Sequence, residues 1–137
     1  MYSDRAGTSV LIIDGDDNDR QYYAQRLRLS SPDYAIIESP NAENGLHIYN
    51  SQSVDCVVLE LILPDASGFE VLLRLVPVPS RCEVAVVVLT KLTSPSVLEL
   101  AVQNGAHTAL KKVSTTGEIL CQAILNAVSV ARRDGKS

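Results

Sequence analysis

The stretch V84-A-V-V-V-L-T90 sets six consecutive apolar residues before a single hydroxyl. A strand with one wet face alternates apolar and polar side chains. An unbroken run like Val84–Leu89 is expected to be covered on both faces, as in the centre of a parallel sheet. It is also far too short to cross a bilayer. Working outward, four more short runs read as strands: Val10–Asp14, Tyr34–Glu38, Cys56–Leu61 and Thr108–Lys111. Between them lie segments of helical period. Phe69, Leu72, Leu73 and Val76 share one face, as do Leu120, Ala123, Ile124, Ala127, Val128 and Ala131. Tyr23 and Leu27 give the first helix a thinner stripe. Ser94-Pro95 predicts a cap and first-turn proline ahead of Val97–Asn104, with Gly105 as the stop. Thr115-x-x-Glu118 predicts a capping box for the last helix. Five strands alternating with five helices imply an α/β, doubly wound parallel sheet with helices on both faces.

Composition narrows the function. The 137 residues are 46% hydrophobic and 20% charged, as expected of one folded domain. Twelve Lys+Arg against 16 Asp+Glu give a net charge of −4, which offers no general support for nucleic-acid binding. Arg132, Arg133 and Lys136 suit the negative end of a helix dipole instead. MYSDRAG has no signal-peptide core, so a cytoplasmic protein without membrane contact is expected. Cys56, Cys82 and Cys121 lack metal-ligand spacing and read as buried or inert thiols. His47 and His107 have no partner motif for nucleophilic catalysis and are expected at the surface. The domain is expected over 8–133, between tails at 1–7 and 134–137.

Polar residues gather where the strands end. The first is followed by D14-G-D-D-N-D19. Helix capping accounts for some of Asp16, Asp17 and Asp19. A calcium loop fits the opening D-x-D-x-N but fails at its sixth position, Asp19, and its twelfth, Gln25. A third reading takes in the other strand ends. Glu60 sits among Val57, Val58, Leu59, Leu61, Ile62 and Leu63, where a lone carboxylate costs stability unless relieved. In a sheet of order 2-1-3-4-5, Asp14, Glu60, Thr90 and Lys112 converge at one edge. Two carboxylates, a hydroxyl and an ammonium there suit a phosphoryl-accepting site: a carboxylate nucleophile, a bridging magnesium, and two groups to hold the phosphoryl.

At these residues the chain resembles the receiver domains of two-component signalling, over roughly 8–131. VLIID (10–14) is similar to the family's first strand and acid. VVLELILPDASG (57–68) is similar to its phosphoacceptor strand and loop, with Ile62, Pro64 and Gly68 as loop positions. VVVLT (86–90) and GAHTALKK (105–112) are similar to its switch strand and lysine segment. The resemblance implies a flavodoxin-like receiver fold and a bacterial phosphorelay role. It places Glu60 at the phosphoacceptor position, Asp14, Gly15 and Asp16 in the acidic pocket, and Thr90, Ala109 and Lys112 at the phosphate-binding and switch positions.

Four departures stand out. Gly15 replaces the family's second acid, a direct magnesium ligand. Glu60 replaces aspartate, Ala109 the aromatic switch residue, and Val113 the proline after the lysine. Magnesium is therefore expected to bind weakly or not at all to Asp14, Asp16 and Glu60, and no other cofactor is implied. Glutamate's extra methylene displaces the nucleophile, yet lets Glu60 reach Lys112 and Thr90 in imitation of a phosphorylated aspartate. The expected function is a phosphorylation-independent, non-enzymatic signalling module. Its partner would be a histidine kinase or an output domain, met through the face of the fourth and fifth helices and fifth strand. A homodimer through the last two helices is compatible with the sequence, which has no specific feature for it. The alternative is a receiver still phosphorylated on Glu60 by a partner kinase. A nucleotide- or flavin-binding enzyme is disfavoured, because DGDDND would repel phosphates.

Overall fold

The computed structural model describes residues 7–80 and 83–136, with side chains described through Arg132; Cys82 lies outside them. In chain order the elements are β1 (Ser9–Ile13), α1 (Asp17–Ser30), β2 (Ala35–Ser39), α2 (Ala42–Ser51), β3 (Cys56–Leu59), α3 (Gly68–Leu75), β4 (Ala85–Thr90), α4 (Pro95–Gln103), β5 (Thr108–Lys111) and α5 (Gly117–Lys136). The strands form one sheet in the order β2-β1-β3-β4-β5, and every pairing is parallel. The doubly wound α/β expectation holds.

The sheet's two faces explain the unbroken apolar run. Ala85, Val87 and Leu89 of β4 pack with Val10, Ile12 and Val58 against Tyr23 and Leu27 of α1 and Leu120 and Ile124 of α5. Val86 and Val88 turn the other way, joining Leu11, Ile13 and Leu59 against Val71 and Leu72 of α3 and Ala101 of α4. Each alternate side chain has its own core, so no position in β4 is left for a polar residue until Thr90. The register pairs Ile13 with Leu59, Leu59 with Val88 and Thr90 with Lys111, so the carboxyl ends finish side by side.

Several local expectations are corrected. β1, β2 and β4 are displaced by one residue from the ranges read in the sequence, and β3 ends at Leu59 instead of Leu61. Beyond Glu60 the chain turns, bridging Ile62 to Ser67 and sending the Gly68 N–H to the Leu61 carbonyl. The capping box lies at Ser67 and Glu70 on α3. At α5 the Thr116 hydroxyl accepts from the Ile119 N–H at 3.1 Å, while the Thr115 hydroxyl donates to the Lys111 carbonyl at 2.7 Å. Ser94 occupies the cap position of α4 without a side-chain bond to the helix, and its hydroxyl meets that of Ser96. Gly105, at φ 115°, does end α4 in the left-handed region. Leu73 is exposed, although it falls on the apolar period. His47 is exposed, but His107 is half-buried, its Nδ1 accepting from the Val86 N–H at 3.3 Å. Cys56 is buried, with its thiol pushed up by desolvation, and Cys121 is half-buried; both are free thiols. No helix among the described residues is long and apolar enough to cross a membrane.

Candidate functional site at the carboxyl edge of the sheet

Four strand ends deliver the four expected residues to one place. Asp14 follows β1, its N–H donating to the Ser39 carbonyl, and Glu60 follows β3, its N–H donating to Ile13. Thr90 closes β4, and Lys112 opens the 3-10 turn (Lys112–Ser114) that follows β5. Glu60, Asp14 and Thr90 are all buried.

The Glu60 carboxylate is fully engaged. Its Oε1 accepts from the Thr90 hydroxyl at 2.5 Å and from the Ile62 N–H at 3.1 Å. Its Oε2 accepts from the Lys91 N–H at 3.2 Å and meets Lys112 Nζ at 3.1 Å. Lys112 Nζ also contacts Asp14 Oδ2 at 2.7 Å and Asp19 Oδ2 at 2.9 Å. The remaining Asp14 oxygen accepts from the Asp16 N–H at 2.9 Å. Around Lys112 burial opposes the charge, but the hydrogen bonds to Asp14 and Asp19 and the attraction of Asp14 and Glu60 outweigh it, so its pKa is raised. Asp14 is shifted upward as well: there desolvation outweighs the hydrogen bonds to Lys112 and Asp16. Among the described residues, no buried side-chain nitrogen or oxygen lacks a partner.

The loop after β3 is held by its own chemistry. A Cβ on Gly68 would come within 2.5 Å of both the Glu60 carbonyl oxygen and Leu61 Cα, so only glycine allows this close approach. Asp65 accepts from the Ala42 and Glu43 N–H groups, pinning the loop to the start of α2. Ile62 and Pro64 are exposed and line a cleft of about 300 Å³ with Asp14, Gly15, Asp16, Glu60, Leu63 and Lys91. Ala109 stands on β5 opposite Val88 and packs into the core shared with α3 and α4.

The donor set expected to hold magnesium is otherwise committed. Asp16 caps α1, its Oδ1 taking the Asp19 N–H, and its Oδ2 lies 3.9 Å from Lys91 Nζ. Both oxygens of Asp14 and of Glu60 already meet protein donors, and Gly15 contributes none. Among the described residues no group of three His, Cys, Asp or Glu is arranged to hold a metal ion. As arranged, Asp14, Asp16 and Glu60 do not fit magnesium.

Three residues in or around the site were not singled out as site residues in the sequence. Asp19, read only as a helix-start acid, reaches Lys112. Arg20 is buried, donating to the Asp14 carbonyl at 2.8 Å and pairing with Glu38 at 3.1 Å. Asp65 fixes the loop. For the first two a signal existed: Asp19 and Arg20 lie four and three residues before Tyr23, on the stripe that faces the sheet. For Asp65 there was none, since its partners lie more than 20 residues away.

The family model of the response regulator receiver domain matches residues 10–124. The chain belongs to that family. A cyclic di-GMP phosphodiesterase of Thermotoga maritima is 32% identical over 104 residues, covering 76% of this chain and 27% of that protein. The transcriptional regulatory protein AfsQ1 of Streptomyces coelicolor is 34% identical over 67 residues, 49% of this chain and 29% of that protein. The receiver thus spans about a quarter of the length of these curated relatives. Among solved structures, a response regulator receiver domain protein from Clostridium thermocellum superposes with a TM-score of 0.80 at 25% identity, covering 92% of this chain and 98% of that one. A CheY-like receiver domain protein from Methanospirillum hungatei gives 0.81 at 20% identity, over 93% and 98% of the two chains, and shows the shared fold.

Proposed function

We propose that this receiver signals without phosphotransfer, with Glu60 as a built-in substitute for the phosphorylated state. One observation carries the reading. The Glu60 carboxylate already occupies a cradle of four donors: the Thr90 hydroxyl, the Ile62 and Lys91 N–H groups and the Lys112 ammonium. Such a convergence of preorganised donors is what an oxyanion requires. A nucleophile must instead offer a lone pair outward to its donor molecule. Glu60 is buried and has both oxygens turned to protein partners, so it is poorly placed for in-line attack. The absence of a carboxylate at position 15 and of an aromatic ring at Ala109 supports the same reading.

On this proposal the module is not itself an enzyme. It acts in the cytoplasm by contact with a histidine kinase or an output domain, through the face formed by α4, β5 and α5. That face exposes Leu100, Val102, Ile119 and Leu125. The test is incubation with magnesium and a small phosphodonor, followed by intact mass, with beryllofluoride and amide NMR shifts in parallel. No mass gain and no shifts at the site are expected. A gain of one phosphoryl group that disappears in Glu60→Gln would overturn the proposal in favour of phosphorylation on Glu60.

A further inference from the structure

Asp19 is the one member of the Lys112 shell that the strand ends do not supply. It projects from the first turn of α1, and its Oδ2 lies 2.9 Å from Lys112 Nζ. With Asp14 at 2.7 Å and Glu60 at 3.1 Å, three carboxylate oxygens surround one ammonium that has three N–H donors to give. The lysine, Asp14 and Glu60 side chains are nearly covered, so those two contacts operate with little screening by water, whereas Asp19, 39% exposed, stands on the pocket's outer side.

We propose that Asp19 makes Lys112 a permanent tethered cation, taking the place that a divalent ion would otherwise fill among the pocket's acids. The inference rests on the proposal that the site does not transfer phosphate, and it deepens it by naming what keeps metal out. Oxygens at 2.7–3.1 Å form a shell of the size an ammonium needs. Calcium would require about 2.3–2.6 Å and magnesium about 2.0–2.1 Å. A divalent ion entering the wild-type pocket must either expel Lys112, breaking three charge-assisted bonds, or lie beside it against charge repulsion. With only Asp14 and Glu60 as partners, the ammonium would keep one N–H free to turn outward. Asp19 closes that exit and is therefore a positioning residue acting through Lys112. Remove the ammonium and the same three acids lose their counter-charge; as they stand they are not arranged as a metal site, but hard cations take carboxylate oxygens and would then have three to draw together.

The test is a titration of the full chain with magnesium chloride and calcium chloride, against sodium chloride at matched ionic strength. It is read by melting midpoint and by isothermal calorimetry. Wild type is expected to show no divalent-specific change at millimolar concentration. Lys112→Ala is expected to melt lower and be restored by either divalent ion, and Lys112→Ala with Asp19→Asn to be restored at least tenfold less effectively. Magnesium binding by wild type as tight as by Lys112→Ala would overturn the inference, as would indifference of a folded Lys112→Ala to both ions. Should Lys112→Ala not fold, Asp19→Asn alone decides. It is expected to speed solvent exchange of the Lys112 ammonium protons several-fold in NMR and to admit measurable magnesium. Unchanged exchange and unchanged indifference to magnesium would overturn the proposal. Phosphoryl transfer to Glu60 is read separately by mass, so that failure and this one are distinguishable.

Discussion

Glu60 and Lys112 are partners, but their removal is not symmetrical. Lys112→Met would leave Asp14 and Glu60 buried together without a counter-charge. Uncompensated buried charge typically costs about 3–5 kcal/mol. Glu60→Gln leaves Lys112 with Asp14 and Asp19, and mainly upsets hydrogen bonds to Thr90, Ile62 and Lys91. Its expected cost is about 1–3 kcal/mol. Denaturant unfolding of both variants at neutral pH checks this order. The pH dependence has a definite sign. The Lys112 pKa lies above its ordinary 10.5 in the fold, so the folded state holds the proton more tightly than the unfolded state. The stabilisation is therefore complete below about pH 10.5 and fades as pH rises through the folded value. The gap between wild type and Lys112→Met should be flat from neutral pH to about 10 and close above it. Tyr34 and Tyr49 also have raised values and weaken the fold at high pH, but in both proteins alike, so they cancel in the difference. Tyr23 does not cancel: burial raises it and Lys112 pulls it down, so without Lys112 it opposes the closing of the gap.

At the scale of elements, the loop from β3 to α3 carries the site's precision. Gly68 begins α3 so close to Glu60 and Leu61 that one methyl group must displace backbone. Gly68→Ala is expected to cost about 1–3 kcal/mol, the range for overpacking a tight contact. It should also move the amide signals of Glu60, Ile62 and Lys91 more than those of β1 or β2. An equal shift across the sheet would mean the loop is not the point of strain. The elements themselves were readable because apolar period and strand-end chemistry agree: β5 has the bounds its sequence predicts, and Asp14, Glu60, Thr90 and Lys112 meet as a 2-1-3-4-5 sheet requires. Caps were less readable. Ser67-x-x-Glu70 and Thr115-x-x-Glu118 have the same form, yet only the first closes as a box. At the second, the Lys111 carbonyl captures the Thr115 hydroxyl, and the cap passes to Thr116. Which of two adjacent threonines accepts the helix's first free N–H leaves no trace in spacing. For Asp19 the spacing from Tyr23 shows which side it faces, but not that it reaches a lysine 93 residues away.

Across the whole molecule, Glu60 joins the end of β3 to the ends of β4 and β5. Thr90 and Lys91 lead into α4, Lys112 leads into α5, and both helices belong to the face proposed for partner contact. If the internal carboxylate holds this half of the domain in one state, its loss should loosen that half first. Glu60→Ala leaves the Thr90 hydroxyl and the Ile62 and Lys91 N–H groups without their acceptor, while the α1–β1–β2 side keeps the Arg20 pairs with Asp17 and Glu38. Hydrogen exchange by mass spectrometry should therefore show faster exchange over 91–94 and 112–116, with 9–13 and 35–39 little changed. A uniform rise across all five strands would mean that Glu60 contributes only global stability. Local loosening confined to the first two segments would mark the carboxylate as a conformational brace for the α4–β5–α5 face, which is what a permanent substitute for phosphate has to be.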